Sequence, residues 1–357
     1  MVKNKITQNQ YMFIVFSAMI GVGVLTMAFD LCKSAKQNGW IPISIGGLYP
    51  IFILITASII DNKTDHASFW DYSNKIYGKK LSYVFAFIFL AYFLTIFAGV
   101  SAGFSHILTL SIMPFFKPMT IIIPCLILVT FISLSGLQMV GRISELYFYI
   151  TLPLLLVAIF LIPTGSITNI KPIYFSLSEM SKTIPSTSYY FAGCEVGYFI
   201  ISRISNNKNT KKAGIIASLI ITFVYFINVI IVIYNLGWEL TSRIEAPLLY
   251  LIQSIEIPII SNFLSIVIFF WSAIALRLLL IYDFISSEIL SKVIKIDYKK
   301  ANFIILAIVC IYAFFMTPEY NRKMIVNATM PYFVLFSIIW SLTTVILVSV
   351  KYRSSKE

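Results

Sequence analysis

The chain contains ten long apolar stretches, and these decide what it can fold into. A helix needs about 20 predominantly apolar residues to cross the hydrocarbon core of a bilayer. Lipid offers no partners for backbone N–H and C=O groups, so such stretches form helices or closed barrels. The lack of polar–apolar alternation along them favours helices. The stretches are residues 11–31, 40–60, 82–112, 119–135, 145–163, 185–203, 213–236, 262–287, 301–318 and 328–350.

The composition excludes the soluble classes of protein. Hydrophobic residues make up 59% of the 357 residues and charged residues 12%, whereas soluble globular domains have about 45–50% and about 25%. Phe and Tyr are abundant, which excludes a disordered chain as well. We therefore predict an all-α integral membrane protein, with residues 1–357 forming a single transmembrane domain of ten helices.

The net charge of +12 is explained by membrane topology rather than by binding to nucleic acid. With ten spans, 18 of the 27 Lys and Arg residues fall on the side of the termini and 8 on the opposite side. Cytoplasmic loops carry such an excess, so we expect both termini in the cytoplasm and no nucleic-acid partner. Residues 237–261 are too polar to span and are expected to form an external loop with a short surface helix. The basic side comprises the N-terminus, the loops 61–81, 136–144, 203–212 and 288–300, and the C-terminal tail.

Two spans are interrupted at corresponding places. The first contains Gly21 and Gly23, and the sixth contains Gly193 beside Glu195. A glycine pair in a spanning helix also permits close helix packing, which is the alternative for either site taken alone. Paired interruptions in two halves of a chain are typical of inverted-repeat transporters. We therefore predict a 5+5 inverted repeat, residues 11–163 and 185–350, with helices 1 and 6 broken at mid-membrane.

A broken helix in the membrane has a specific use. The N-terminal end of a half-helix attracts an anionic group, and the C-terminal end attracts a cationic one. A zwitterionic amino acid suits a site built from both ends. The carbonyl groups near Phe191 and Gly193 would receive its ammonium group. Its carboxylate would be held by the backbone amides of Gly21, Val22, Gly23, Val24 and Leu25.

Two charged residues lie where charge is costly, and both are candidates for function. Glu195 has three possible roles: it faces the ligand ammonium, it carries a proton, or it pairs structurally with Arg277. Arg277 has three as well. It fills the place of a coupling cation between segments 1 and 8, it extends toward the cytoplasm, or it pairs with Asp283.

An enzyme is not expected, because the sequence has no nucleophile–base–acid set and no glycine-rich phosphate loop. The four cysteines lack the paired spacing of a metal site or disulfide framework. We therefore expect no metal and no cofactor.

Several of these residues together resemble a known family. Gln8, Gly21-Val-Gly23, Asn38-Gly39-Trp40 and Phe191-Ala-Gly-Cys-Glu195 are similar to the B subunit of bacterial spore germinant receptors. The length, the ten spans and the basic loop after span 6 agree over essentially the whole chain. One departure is Met27-Ala28, where many relatives have a proline. The family belongs to the amino acid–polyamine–organocation transporter superfamily, which implies a leucine-transporter-type fold.

The resemblance implies a function. Such subunits bind a small nutrient, commonly an amino acid, in the spore inner membrane and trigger germination together with a larger A subunit and a lipoprotein C subunit. The resemblance implies that the binding site of the family corresponds to the two breaks described above, in spans one and six of this chain. An amino-acid permease or proton-coupled symporter on the same fold is the alternative, since it needs the same cavity. A passive ion or water channel is the third possibility.

Overall fold

The computed structural model describes residues 5–173, 183–184, 187–205, 209–255 and 262–351, and it is mostly helical. Short 3-10 helices cover Lys36–Asn38, Val157–Thr164, Ile167–Ile170, Tyr189–Phe191 and Ile201–Arg203. The α-helices are α1 (Gln8–Met19), α2 (Gly23–Ala35), α3 (Trp40–Gly46), α4 (Leu48–Lys63), α5 (Phe69–Ser111), α6 (Pro118–Ser133), α7 (Leu137–Leu155), α8 (Val196–Ile200), α9 (Thr210–Thr241), α10 (Pro247–Gln253), α11 (Phe263–Ile294), α12 (Tyr298–Met316) and α13 (Glu319–Lys351).

The helices correspond to the ten predicted segments. Among the described residues, seven helical stretches are individually long and apolar enough to cross a membrane, counting α3 with α4 and α7 with the 3-10 helix after it. The pair α1 and α2 is one further span, bent by 50° at its break. Segment four is the apolar helix α6, of 16 residues. Segment six is the 3-10 helix Tyr189–Phe191 followed by α8, and its predicted start at 185 lies outside the described residues.

Two predicted loops contain more helix than expected. The loop 61–81 was expected to precede the third span, but α5 already begins at Phe69. It is interrupted at Gly78, which has a φ of +78°, and the part after this break forms the predicted span. The Ser68 side chain accepts a hydrogen bond from the Asp71 amide and caps this start, since a serine hydroxyl satisfies an amide that the first turn leaves free. In the loop 237–261, α10 is the expected short helix, but it is not a surface helix, because Leu248 and Leu251 are buried. Residues 256–261 lie outside the described part.

Both described ends of the chain are bonded to segments of the predicted basic side. Ile6 forms a parallel bridge with Ile204, in which the Ile6 amide donates to the Arg203 carbonyl over 3.0 Å and the Ser205 amide donates to the Ile6 carbonyl over 2.9 Å. Near the other end, the Lys351 ammonium donates to the Ile76 carbonyl over 2.7 Å. Parts of the basic side, namely residues 1–4, 206–208 and 352–357, are outside the described residues. Below, this side is called the side of the termini.

Two groups of helices hold the broken spans between them. Helix α11 packs against α5, α6, α7 and α12, while α9 packs against α1, α2, α3 and α4. Helix α1 contacts α7, α9 and α11. The break between α1 and α2 therefore lies where α9 and α11 face each other, and this arrangement positions the site.

Candidate functional site

The first break has three backbone amides without a partner. Helix α1 ends at Met19, Ile20 is extended, and α2 begins at Gly23. The Val24 amide donates to the Gly21 carbonyl over 3.4 Å, and the Leu25 amide donates to the Val22 carbonyl over 3.1 Å. Within the described residues, the amides of Gly21, Val22 and Gly23 find no acceptor. Free amides at the start of a half-helix attract an anion. Of the five amides in the predicted carboxylate site, these three are free, and their binding of a carboxylate stays a prediction.

The second break depends on one glycine. Ala192 is extended, Gly193 has a φ of +106°, and α8 begins at Val196. A Cβ atom at Gly193 would overlap the Tyr282 hydroxyl and the Ala18 carbonyl oxygen. A positive φ and such a close approach both require glycine. The two breaks therefore touch at this residue.

Two tyrosines bridge the breaks, one from each group of helices. The Tyr225 hydroxyl of α9 lies 2.6 Å from the Met19 carbonyl oxygen and 3.4 Å from that of Tyr190. The Tyr282 hydroxyl of α11 lies 2.7 Å from the Ala18 carbonyl oxygen and 3.4 Å from that of Ala192. Carbonyl groups freed by a break need partners when water is absent. Neither tyrosine was predicted as a site residue, because a tyrosine in an apolar helix is ordinary.

A cavity of about 440 Å³ lies against the first break. It extends along α2 to the side opposite the termini, where Asp30, Arg322 and Lys323 line it and where the exposed residue Ser34 brings it to solvent. Toward the middle of the protein it is lined by residues of both breaks and by the bridging tyrosines: Ala18, Met19, Gly21, Val22, Gly23, Tyr189, Tyr190, Ala192, Tyr225 and Tyr282. A concave site with a few convergent polar groups is the usual form of a small-molecule site.

The predicted site residues divide into two sets. Gly21, Val22 and Gly23 line the cavity. The other five are buried in the packing around it and are not part of its lining; these are Val24, Leu25, Phe191, Gly193 and Glu195. A direct role of this second set in ligand binding stays a prediction.

Glu195 is the centre of a buried hydrogen-bond network behind the second break. Its Oε1 atom accepts from the hydroxyls of Tyr49 and Tyr92, the latter over 3.0 Å, and its Oε2 atom accepts from the Gly193 amide over 2.9 Å. The side chain is fully buried. Glu195 therefore ties α4 and α5 to the backbone of the break.

Arg277 does not pair with either predicted acid. Its Nη1 atom donates to the Thr151 hydroxyl over 3.0 Å, and its Nε and Nη2 atoms have no partner among the described residues. Asp283 instead accepts from Ser133 and Asn302. The structure does not support either alternative pair, with Glu195 or with Asp283, because each acid is held by neutral donors within the described residues. Arg277 is 1% exposed, so it does not extend to solvent, and its role as a cation replacement stays a prediction.

Charged residues surround the mouth of the cavity. Asp30 accepts a hydrogen bond from the Tyr190 hydroxyl over 2.9 Å. Lys323 lies 2.8 Å from Glu245 and 3.3 Å from Glu319. Sequence reasoning missed Asp30, although an acid inside a predicted span was the available signal.

The mouth also contains a group of potential metal ligands. His106, Glu245 and Glu319 offer ligand atoms within 4.8 Å of one another. Lys323 contacts both carboxylates, and Arg322 contacts Glu319 as well. Partial burial alone raises the pKa of Glu245, but Lys323 and His106 outweigh it and hold that pKa below its usual range. The group is therefore an ion-pair network whose carboxylates are already neutralised.

Solved structures of membrane transporters share this fold. MhsT in complex with L-phenylalanine matches with a TM-score of 0.67 over 96% of this chain and 88% of that chain, at 10% identity. A substrate-bound, outward-open Na⁺-coupled sialic acid symporter matches with a TM-score of 0.66 over 96% of this chain and 78% of that chain, at 12% identity. These likenesses confirm the predicted all-α, leucine-transporter-type membrane fold.

Curated relatives match along most of the chain. Spore germination protein YndE of Bacillus subtilis (strain 168) is 25% identical over 359 aligned residues, covering 99% of this chain and 98% of the relative. Spore germination protein A2 of the same organism is 22% identical and covers 92% and 91%. Spore germination protein KB is 26% identical and covers 66% of each chain. The family model described as spore germination protein matches residues 5–322, and the chain therefore belongs to the spore germination permease family.

Proposed function

We propose that the chain is the membrane subunit of a spore germinant receptor and that it binds a small nutrient, an amino acid, in the cavity beside the first break. The observation that carries the proposal is the set of free amides of Gly21, Val22 and Gly23 at the wall of a cavity of about 440 Å³. Free amides at a half-helix start suit a carboxylate. Ala192 also lines the cavity, and its carbonyl group suits an ammonium group. In this proposal the chain binds its ligand and does not act as an enzyme.

The proposal includes location and partners. Residues 11–163 and 185–350 form the two inverted repeats, and the multi-pass chain lies in the spore inner membrane with both termini in the cytoplasm. The cavity then opens on the side opposite the cytoplasm, and the nutrient arrives from that side. Binding shifts the balance between arrangements of the broken helices, because a ligand favours the arrangement it binds better. The A and C subunits receive this change and start germination.

The binding site is tested with two matched glycine variants. A methyl group at Gly21 would lie 3.2 Å from Leu278 Cδ2 at the cavity wall, and one at Gly141 would lie 3.2 Å from Gln10 Cβ, away from the cavity. The common amino acids are screened by isothermal calorimetry against the purified protein in lipid nanodiscs. We expect at least one to bind, and Gly21→Ala to weaken it by about tenfold, or about 1.4 kcal/mol. Gly141→Ala should bind as the parent protein does.

Two outcomes would contradict this part of the proposal. Equal affinity in the parent protein and Gly21→Ala would place the site elsewhere. No binding by any amino acid, in a protein that unfolds cooperatively on heating, would exclude the amino-acid class.

The alternative function is an amino-acid permease or proton-coupled symporter, which the transporter fold of the solved structures supports. Uptake of the labelled amino acid identified above into proteoliposomes separates the two. A receptor should give no concentrative uptake, whereas a symporter accumulates the amino acid against its gradient. Permeability that does not depend on the amino acid would instead indicate a passive channel.

The partner proposal has its own measurement. The chain is coexpressed with the A and C subunits encoded beside it, and a tag on this chain is used for purification. Co-purification of both subunits in stoichiometric amounts is expected. Purification of the chain alone, from a membrane that contains both other subunits, would contradict the proposed complex.

A further inference from the structure

A second buried carboxylate lies apart from the cavity, between α6, α11 and α12. Asp283 is 0% exposed, and its Oδ2 atom accepts from the Ser133 hydroxyl and from the Asn302 amide group, the latter over 2.7 Å. In the described part of the chain no ion pair involves Asp283, and Arg277 of the same helix donates to Thr151 instead. A buried carboxylate without a cation is costly in its ionised form. The residue therefore needs a means of becoming neutral.

The Ser133 hydroxyl can serve both charge states of this carboxyl group. When Asp283 is ionised, Ser133 donates to Oδ2. When Oδ2 carries a proton, that proton is donated to the Ser133 oxygen, and the serine hydrogen turns to the Thr130 carbonyl oxygen 3.3 Å away. A hydroxyl group rotates freely between donor and acceptor roles. Neither state leaves the Ser133 hydroxyl without a partner.

A path for the proton leads from Ser133 toward the side of the termini. The Tyr298 hydroxyl lies 3.3 Å from the Ser133 hydroxyl oxygen. Tyr298 is the first residue of α12 and is partly exposed, and it follows the exposed residue Asp297. The Tyr298 hydroxyl donates to the Ser133 carbonyl oxygen over 3.2 Å, so it turns toward the Ser133 hydroxyl when it passes a proton. Two hydroxyl groups thus extend from Asp283 to the first turn of α12, and each can pass a proton by accepting one and donating another.

Few charged groups surround this cluster. Helix α6 contributes the hydroxyl of Ser133, and α12 contributes Tyr298 and Asn302. On α11 itself, the charge of Glu288 is neutralised by its ion pair with Arg203. The Arg203 guanidinium, which is close enough to act on Tyr298, is held by Glu288. The hydrogen bonds that Asp283 accepts within the described residues come from the neutral side chains of Ser133 and Asn302, so protonation of Asp283 removes a charge that no ion pair offsets.

We propose that Asp283 is a proton-binding site, loaded from the side of the termini through Tyr298 and Ser133. The site is separate from the cavity and does not rest on the proposed nutrient function. It follows Tyr282 directly on α11, so the charge on Asp283 sits one residue from the side chain that bonds to the break at Ala18.

Infrared difference spectroscopy tests the site directly. The purified protein in lipid nanodiscs is titrated between about pH 5 and about pH 9, a range above the titration of exposed carboxyl groups. We expect a carbonyl band of a protonated carboxyl group that decreases as the pH rises and shifts in D₂O. Asp283→Asn should remove this band, and Glu239→Gln, at an exposed position, should retain it. A titrating band that persists in Asp283→Asn, or the lack of any titrating band in this range, would overturn the proposal.

The path is tested by two further variants, which also serve if Asp283→Asn does not fold. Tyr298→Phe and Ser133→Ala each remove one hydroxyl of the chain. The rate at which the band shifts after transfer into D₂O should fall about tenfold or more in both, because the proton loses a carrier. Tyr332→Phe, which changes a tyrosine that is 74% exposed, should leave the rate unchanged. Exchange at the parent rate in both path variants would refute loading through these residues.

Discussion

The hydroxyl of Tyr282 donates a hydrogen bond to the carbonyl oxygen of Ala18 over 2.7 Å. This bond joins helix α11 to the end of α1. Gly193 of the second break lies against the same two groups, the Tyr282 hydroxyl and the Ala18 carbonyl oxygen. One side chain thus contacts both interrupted spans. The geometry explains why the breaks occur as a pair, since each supplies part of the environment of the other.

Removing the Tyr282 hydroxyl should destabilise the first break. Tyr282→Phe keeps the ring but leaves the Ala18 carbonyl without its donor, which costs about 1–2 kcal/mol. We expect a lower melting temperature of the purified protein and a weaker ligand affinity. Tyr332→Phe is the control, because that ring is 74% exposed. A melting temperature equal to that of the control would mean that the bond contributes nothing.

Gly193 should tolerate no side chain. Gly193→Ala places a Cβ atom against the Ala18 carbonyl oxygen. Because this oxygen belongs to the backbone of α1, it cannot move aside as the end of a flexible side chain could. We expect no folded protein in the membrane fraction, as judged by size-exclusion chromatography.

Gly78 is the matched control for this change. It also has a positive φ, of +78°, but a Cβ atom there meets nothing within 4 Å. Gly78→Ala then measures backbone strain alone, about 1–3 kcal/mol, and should yield folded protein. Equal yields of the two variants would show that the contact at Gly193 is unimportant.

Glu195→Gln should weaken the nutrient response and lower stability together. A glutamine has one acceptor oxygen in place of two, so it cannot accept from Tyr92 and from the Gly193 amide as Glu195 does. Leaving a buried donor unsatisfied costs about 1–3 kcal/mol. Germination of spores carrying the variant and the melting temperature of the purified protein are measured side by side. Glu239→Gln, at an exposed position, is the control, and unchanged germination in Glu195→Gln would exclude a functional role.

The ion pair of Glu245 and Lys323 should contribute a small, pH-dependent stability. The pKa of Glu245 is lowered in the folded protein by Lys323 and His106, despite the opposing effect of burial. The contribution is therefore fully present above the pKa of an unfolded glutamate, about 4.3, and is lost as the pH falls through the lower folded value. Both side chains are 32% exposed, so the effect is less than about 1 kcal/mol.

The measurement compares Glu245→Gln with the parent protein across pH. Their melting temperatures should differ at neutral pH, converge in acid and approach each other in high salt. A difference that persists unchanged at low pH would mean that packing, not charge, is lost in the variant.

The spans and breaks were predictable because their signals are local. Apolar length marks a span wherever it occurs, and Gly21 with Gly193 marked both interruptions. The short helical part of α5 before Gly78 was not predicted, since Ser68 caps a polar turn that hydropathy cannot distinguish from a loop. Boundaries of this kind depend on single hydrogen bonds.

The partners of the buried charges were not predictable. A pair of Glu195 with Arg277 was one of the alternatives because both lie at membrane depth, but Glu195 accepts from Tyr49 of α4, and Arg277 donates to Thr151 of α7. Which helix face meets which neighbour is set by packing across the whole bundle. Asp30 and Asp283 belong to the same class, as acids whose surroundings come from distant parts of the chain.

The bridge between Ile6 and Ile204 connects the segment before α1 to the segment after α8. Two backbone hydrogen bonds join Ile6, two residues before α1, to the segment that follows α8. The half-helices that begin span one and end span six are thus connected through backbone as well as through side chains. A displacement of either half-helix therefore strains the other, which couples the two broken spans at the side of the termini.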